Sequence, residues 1–276
     1  MNNTITCDLC PRYCTLKEGA IGFCNARKNV NGKILSLNYG KLLSLVLDPI
    51  EKKPLAYYKP GSMILSVGTF GCNMNCQFCQ NYEIARAKET DYRTYDVSSE
   101  DLIKIAIDKK QEGNIGIAFT YNEPLVGFEY VLDTSKLAKA NDLDAVVVTN
   151  GQINENYLKE LLPFISAWNI DLKSFSEEGY KKLGGDFKTT LKTIELTSKT
   201  SHIEVTTLVV PGISDDLNLM EEEAKFLASL DKNIPLHINR YIPRYKYNEP
   251  ATDIKLLLEM EEIAKEYLNR VSIGNI

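Results

Sequence analysis

The sequence predicts an α/β fold, a partial (β/α)6 TIM-like barrel over residues 61–276 behind a small cysteine-rich metal-binding segment and linker over residues 1–60. Three observations carry this expectation. Six nearly all-apolar strand patterns alternate with amphipathic helical patterns, which implies a parallel sheet buried on both faces. Six such units are too few for a closed eight-unit barrel, so the sheet is expected to stay open. The seven cysteines fall in two dense groups, four between Cys7 and Cys24 and three between Cys72 and Cys79.

Residues 1–60 read as irregular or short-stranded, with turns marked by Gly19, Gly22, Gly32 and Gly40. The Asp48-Pro49 and Lys53-Pro54 steps disfavour helix before each proline. From residue 63 the strand candidates are Met63–Thr69, Ile115–Thr120, Asp144–Thr149, Trp168–Leu172, His202–Val210 and Ile234–Asn239. Helical patterns cover Glu100–Lys110, Leu125–Lys139, Glu155–Leu162, Lys188–Ser198, Asp216–Leu230 and about Thr252–Leu268. Ser98, with Asp101 three residues on, is placed to cap the first of these. In such a barrel, chemistry gathers at the C-terminal ends of the strands.

Composition narrows the classes. A net charge of −5 without a basic block argues against nucleic-acid binding. No apolar run reaches the length of a membrane span, and the polar stretch Met1–Thr6 lacks a signal-peptide apolar region, so the expected setting is cytoplasmic, with no membrane partner. An odd cysteine count in two groups fits metal sites in a reducing compartment better than a disulfide framework.

The loop after the first strand reads Gly71-Cys72-Asn73-Met74-Asn75-Cys76-Gln77-Phe78-Cys79. Thiols spaced this way, Cys72, Cys76 and Cys79, can wrap three corners of an iron–sulfur cubane and leave one iron open, where a fourth would close it. Zinc normally takes four protein ligands, and this triplet lacks the second pair that a zinc knuckle would show. Cys7, Cys10, Cys14 and Cys24 do make a complete set of four, for zinc or for a second iron–sulfur cluster. A segment so small is expected to need a metal staple.

The CxxxCxxC spacing, with Phe78 before the last cysteine, resembles the signature of the radical S-adenosylmethionine (SAM) superfamily. The resemblance implies a 4Fe–4S cluster, SAM bound at its open iron, and Phe78 beside the adenine. Thr120-Tyr121-Asn122-Glu123-Pro124 stands where the superfamily has Gly-Gly-Glu-Pro, which implies that Asn122 and Glu123 meet the SAM amino group, although Asn122 replaces a glycine. Thr149-Asn150-Gly151 and Asp171-Leu172-Lys173 resemble segments lining the SAM pocket of glycyl-radical-enzyme activases. Asp171 and Lys173 share a strand face and can pair with each other, with SAM, or merely as a structural ion pair. Val148 replaces an activase aspartate, which puts a monovalent-cation site in doubt, and Val210-Pro211-Gly212 reads as a turn. His237 is similar to an activase histidine facing substrate and SAM, whereas His202 opens its strand at the opposite end and reads as packing or surface. Asp171, Lys173 and His237 are therefore the candidate catalytic residues. The basic and aromatic run Arg240–Tyr247 suits a substrate or partner contact.

Further matches run along nearly the whole chain, above all Cys7–Cys14, Asp48-Pro49-Ile50-Glu51-Lys52-Lys53-Pro54-Leu55 and Ile273-Gly274-Asn275. They resemble the AmmeMemoRadiSam radical SAM family. That resemblance implies AMMECR-type and Memo-type proteins as partners and a flavodoxin or ferredoxin as reductant. The Asp48–Leu55 string either reaches the barrel mouth or forms a solvated charged linker. Three functions stay open: a radical SAM enzyme acting on a small-molecule or protein substrate, a pyruvate formate-lyase activase-like enzyme, and a non-catalytic iron–sulfur electron carrier.

Overall fold

The computed structural model describes residues 3–276, so the first two residues of the polar stretch 1–6 lie outside it. Ahead of the barrel, β1 (Ile5–Thr6) pairs antiparallel with β2 (Thr15–Leu16), and β3 (Arg27–Val30) with β4 (Lys33–Ser36). The second hairpin turns on Asn31-Gly32, both at positive φ, as a two-residue turn matched to strand twist requires. The short strand β5 (Lys41–Leu42) leads into β6 (Ser44–Pro49).

Seven strands run parallel: β7 (Met63–Gly68), β9 (Asn114–Phe119), β10 (Asp144–Thr149), β11 (Ala167–Asp171), β12 (His202–Val209), β13 (Leu236–Arg240) and β14 (Val271–Gly274). β8 (Tyr95–Asp96) lies apart and pairs with β5. The order β14-β13-β12-β11-β10-β9-β7-β6 leaves the barrel open between β14 and β6. The helices are α1 (Tyr82–Ala85), α2 (Ser99–Asp108), α3 (Phe128–Ala140), α4 (Glu155–Leu161), α5 (Glu177–Leu183), α6 (Phe187–Ser198), α7 (Leu217–Leu230) and α8 (Ile254–Lys265). Six strand–helix units are thus present, as expected, together with a seventh parallel strand. The boundary drawn between residues 60 and 61 needs correction: β6 pairs antiparallel with β7 along its whole length, so the barrel sheet starts inside the supposed linker. β6 carries the apolar run Leu45-Val46-Leu47, but on the sheet's edge, where Leu45 and Val46 are exposed.

Strand alternation separates two cores. Leu65, Val67, Ile117, Phe119, Val147, Trp168, Ile170, Val205 and Ile238 pack outward under the helices in the main cluster. Ile64, Ala118, Val146 and Ala167 point inward and meet Ile50 and Leu55 of the connection between β6 and β7. That connection closes the end of the barrel at which the parallel strands begin, because Pro49 pairs with Met63 and Ile50 N donates to Ser62 O. This floor is polar as well as apolar. Lys53 Nζ sits 3.0 Å from Asp48 Oδ2, which also accepts from Tyr121 Oη at 2.7 Å. Asn169 Nδ2 donates to Pro54 O, and Ala56 N and Tyr57 N donate to Glu204 at 3.0 and 2.8 Å. The Asp48–Leu55 string is therefore neither a mouth element nor a wholly solvated linker: Asp48 and Lys53 are buried, whereas Glu51 and Lys52 keep their charges exposed. Among the described residues no helix is long and apolar enough to cross a membrane.

Candidate active site

The site lies at the opposite end, where the parallel strands finish. Past β7 the chain turns at Gly71, at φ +98°, where a Cβ would fall 2.5 Å from the carbonyl oxygen of Cys24. Glycine alone allows both the backbone angle and that approach. Asn122 fastens the loop from the next strand, accepting from Thr69 N at 3.0 Å and donating to Gly71 O at 3.1 Å. Arg86 donates to Cys72 O and Met74 O. Asn75 N reaches across to Leu183 O at 2.9 Å, and Cys79 N closes a turn onto Cys76 O.

Two donors already face a cysteine sulfur. Met74 N lies 3.4 Å and Asn150 Nδ2 3.7 Å from Cys72 Sγ. Asn150 also donates to Asn73 Oδ1 at 3.0 Å, and its main-chain N–H donates to Glu123 Oε2 at 2.8 Å. Glu123 Oε1 accepts from Thr149 Oγ1 at 2.7 Å and from Leu125 N at 3.1 Å. Burial pushes the Glu123 carboxyl up to about 7 against those hydrogen bonds, and Asp171 adds a like-charge push. Lys173 Nζ and Asp171 Oδ2 are 2.8 Å apart, so the expected same-face pair forms. Burial alone would lower the Lys173 ammonium; Asp171 first, then Cys76 and Cys79, reverse that and raise it. Burial raises all three loop thiols, Cys76 to about 11, while Lys173 opposes this at Cys76 and Cys79.

This donor set fits a thiolate-bound cluster. Three sulfurs come from one loop, N–H groups are aimed at one of them, and a lysine stands where it offsets negative charge on the other two. Protonated thiols must lose their protons on loading, so assembly is linked to pH.

Phe78 is buried, with its ring edge-on to Tyr241 at 6.4 Å and Tyr247 at 6.2 Å between centroids. The Arg240–Tyr247 run therefore forms a rim over the cysteine loop: Lys246 N donates to Gln77 O, and Tyr245 stacks on Tyr82 at 4.3 Å. Arg240 turns away to Thr252 O.

His237 is not brought to the loop. Its Nε2 lies 2.6 Å from Glu204 Oε2 and its Nδ1 2.9 Å from Ser272 Oγ, while His202 Nε2 takes the other Glu204 oxygen at 2.8 Å. Both histidines thus belong to the network that anchors the floor. Glu204 was not anticipated from sequence, and neither were Asn73, Arg12 or Arg86, which brace the loop. An asparagine inside the cysteine motif was the available signal for Asn73; nothing local marks the others.

A cysteine loop at the C-terminal mouth of a partial parallel barrel, braced by Asn122, Glu123 and Asn150, defines an enzyme of the radical SAM class. Comparison with known proteins agrees: residues 66–225 match the radical SAM superfamily model, and the chain belongs to that superfamily. It is 36% identical over 279 residues to an uncharacterized protein of Methanocaldococcus jannaschii, covering 100% of this chain and 82% of that protein. It is also 26% identical over 227 residues to the pyruvate formate-lyase-activating enzyme of Clostridium pasteurianum, covering 72% of this chain and 88% of that enzyme. Among solved structures, Streptococcus suis SuiB bound to S-adenosylmethionine shares the fold, with TM-score 0.57 and 14% identity over 74% of this chain and 48% of SuiB.

Proposed function

We propose that the protein binds a 4Fe–4S cluster at Cys72, Cys76 and Cys79 and cleaves SAM reductively, the adenosyl radical taking hydrogen from a small-molecule or protein substrate. The observation that carries this is a three-thiol loop, with no fourth protein thiol in the motif, placed beside the Asp171–Lys173 pair. The cluster, when bound, supplies the electron that splits a carbon–sulfur bond of the sulfonium, giving methionine and the 5′-deoxyadenosyl radical. Asn150 and Met74 N hold Cys72 by N–H···S contacts, and Asn122 and Arg86 fix the loop. Glu123, poised near neutrality, positions Thr149 and Asn150 and offers a carboxyl to a nearby ammonium. Phe78 and its tyrosine neighbours form an apolar wall suited to a purine ring. In this reading the four N-terminal cysteines hold a second metal centre, the setting is the reducing cytoplasm, and the reductant is a flavodoxin or ferredoxin.

The test is anaerobic reconstitution, reduction with dithionite and quantitation of 5′-deoxyadenosine and methionine. Release of both by the wild type and by no Cys76→Ala preparation supports the proposal; wild type with a loaded cluster but no SAM cleavage defeats it and leaves an electron carrier. The likeness to a pyruvate formate-lyase-activating enzyme favours a second reading, activation of a glycyl radical enzyme. A glycine-centred doublet in the EPR spectrum, on incubation with such a partner, would select it. AMMECR-type and Memo-type proteins are the partners to try first under the other reading.

A further inference from the structure

We infer that Glu223 is an uncharged carboxylic acid that turns the Thr207 hydroxyl toward Leu172 O, fixing the Asp171–Lys173 pair from behind the sheet. The reaction this serves rests on the proposed function; the hydrogen-bond chain itself does not. Glu223 lies on α7 with Met220, Ala224 and Leu227, all of them buried. That spacing marks the core face of the helix, where an acid is out of place.

Its Oε1 lies 2.5 Å from Thr207 Oγ1 on β12, and the same hydroxyl lies 3.2 Å from Leu172 O. A threonine hydroxyl carries one proton and cannot donate to both oxygens. Were Glu223 ionised, two buried acceptors would compete for that proton, and one would go without. A protonated Glu223 removes the conflict. It donates to Thr207, and Thr207 donates onward to Leu172 O.

The surroundings point the same way. Burial pushes the Glu223 carboxyl up to about 8, with only its contact to Thr207 opposing. On its own helix, Glu221 and Lys225 pair with each other instead. α8, packed on α7, buries Leu257, Met260 and Ala264. His202 and Glu204 of β12 are joined on the other face of the sheet, and Arg240 of β13 is turned to Thr252 O. The Tyr180 phenol of α5 does feel Glu223, but burial raises it too and keeps it neutral. An ionised carboxylate without a cation is costly in such a place.

Leu172 is the middle residue of Asp171-Leu172-Lys173. Its N–H donates to Thr206 O at 2.9 Å, and Lys173 N donates to Tyr180 Oη at 3.3 Å. With the Thr207 bond, these contacts set where the end of β11 presents Asp171 and Lys173 to the cysteine loop. Ionising Glu223 turns Thr207 to the carboxylate and releases Leu172 O. Glu223 and Thr207 are therefore positioning residues.

The experiment titrates the apoprotein by infrared spectroscopy, wild type minus Glu223→Gln, and follows SAM cleavage by the reconstituted proteins over the same pH range. The difference spectrum is expected to hold a protonated-carboxyl band at neutral pH that fades as pH rises through about 8. Absence of that band overturns the inference. Wild-type SAM cleavage should fall about 2–10-fold across the titration, the worth of one hydrogen bond. Glu223→Gln, whose amide can still donate to Thr207, should lack that fall, and Thr207→Val should stay at the lower level throughout. A Glu223→Gln profile matching the wild type's overturns the inference. If the wild type cleaves no SAM at any pH, the proposed function fails and the infrared titration alone decides. Should Glu223→Gln fail to fold, Thr207→Val takes its place in the spectrum. Loss of the carboxyl's partner is then expected to shift the band, and a band left in place overturns the inference.

Discussion

Two carboxylates lie in the same barrel and are driven in opposite directions. Glu123 at the mouth is pushed up to about 7, whereas Glu204 at the floor is held at about 2. Burial raises both; the difference lies in what surrounds them. Glu204 meets two imidazoles and two main-chain N–H groups. Glu123 meets only neutral donors, with the like charge of Asp171 nearby. The floor is fully compensated and acts as structure. The mouth is left electrically unfinished, as a site built to receive a charged cofactor should be.

The contrast breaks if a floor residue governs chemistry. Lys53→Met is expected to destabilise the fold by about 3–5 kcal/mol, because Asp48 is left buried without its closest cation. Chemical denaturation measures this, while cluster content in the folded fraction should stay unchanged; lost cluster at intact stability would reverse the assignment. Pairing it with Asp48→Asn should recover much of the loss, since the penalty belongs to the unpaired charge.

Glu204 supplies a pH test. Its folded value near 2 lies below the usual 4.5, so the unfolded chain binds more protons between these values and stability rises with pH there. The contribution is complete above about pH 4.5 and is lost as pH falls toward 2. Glu204→Gln should flatten that acid limb of the stability curve, and an unchanged limb would show the network to be dispensable.

Asn150→Ala removes one N–H···S contact and the brace on Asn73. A loss of about 10–100-fold in cluster loading or SAM cleavage is expected, the range for residues that orient metal ligands. Ser98→Ala, which deletes the cap on Asp101 N, should cost about 1 kcal/mol and leave SAM cleavage untouched.

Much of this was legible in sequence because it is local. The cysteine spacing, the six apolar strands and the Ser98 cap each occupy a few adjacent residues and appear where expected. The floor was not legible, because its partners are remote: Asp48 meets Tyr121 73 residues away, and Ala56 meets Glu204 148 residues away. A lysine-rich string looks solvated until the strand that buries it is known. α5 was missed because Gly179 interrupts it and only Tyr180 and Leu183 mark an apolar face, although Ser176 at its start and Gly184 at its end are ordinary cap residues. β14 was missed because Ser272 and Gly274 break its apolar pattern.

The antiparallel run of β6 sets how this molecule can be taken apart. It carries the chain directly from the cysteine module to the barrel's far end, so one uninterrupted stretch of peptide serves both. A chimera transplanting the barrel alone, cut after residue 60, would leave behind its edge strand and its stopper. A workable graft must carry the segment from Ser44 onward, with the seam placed ahead of it.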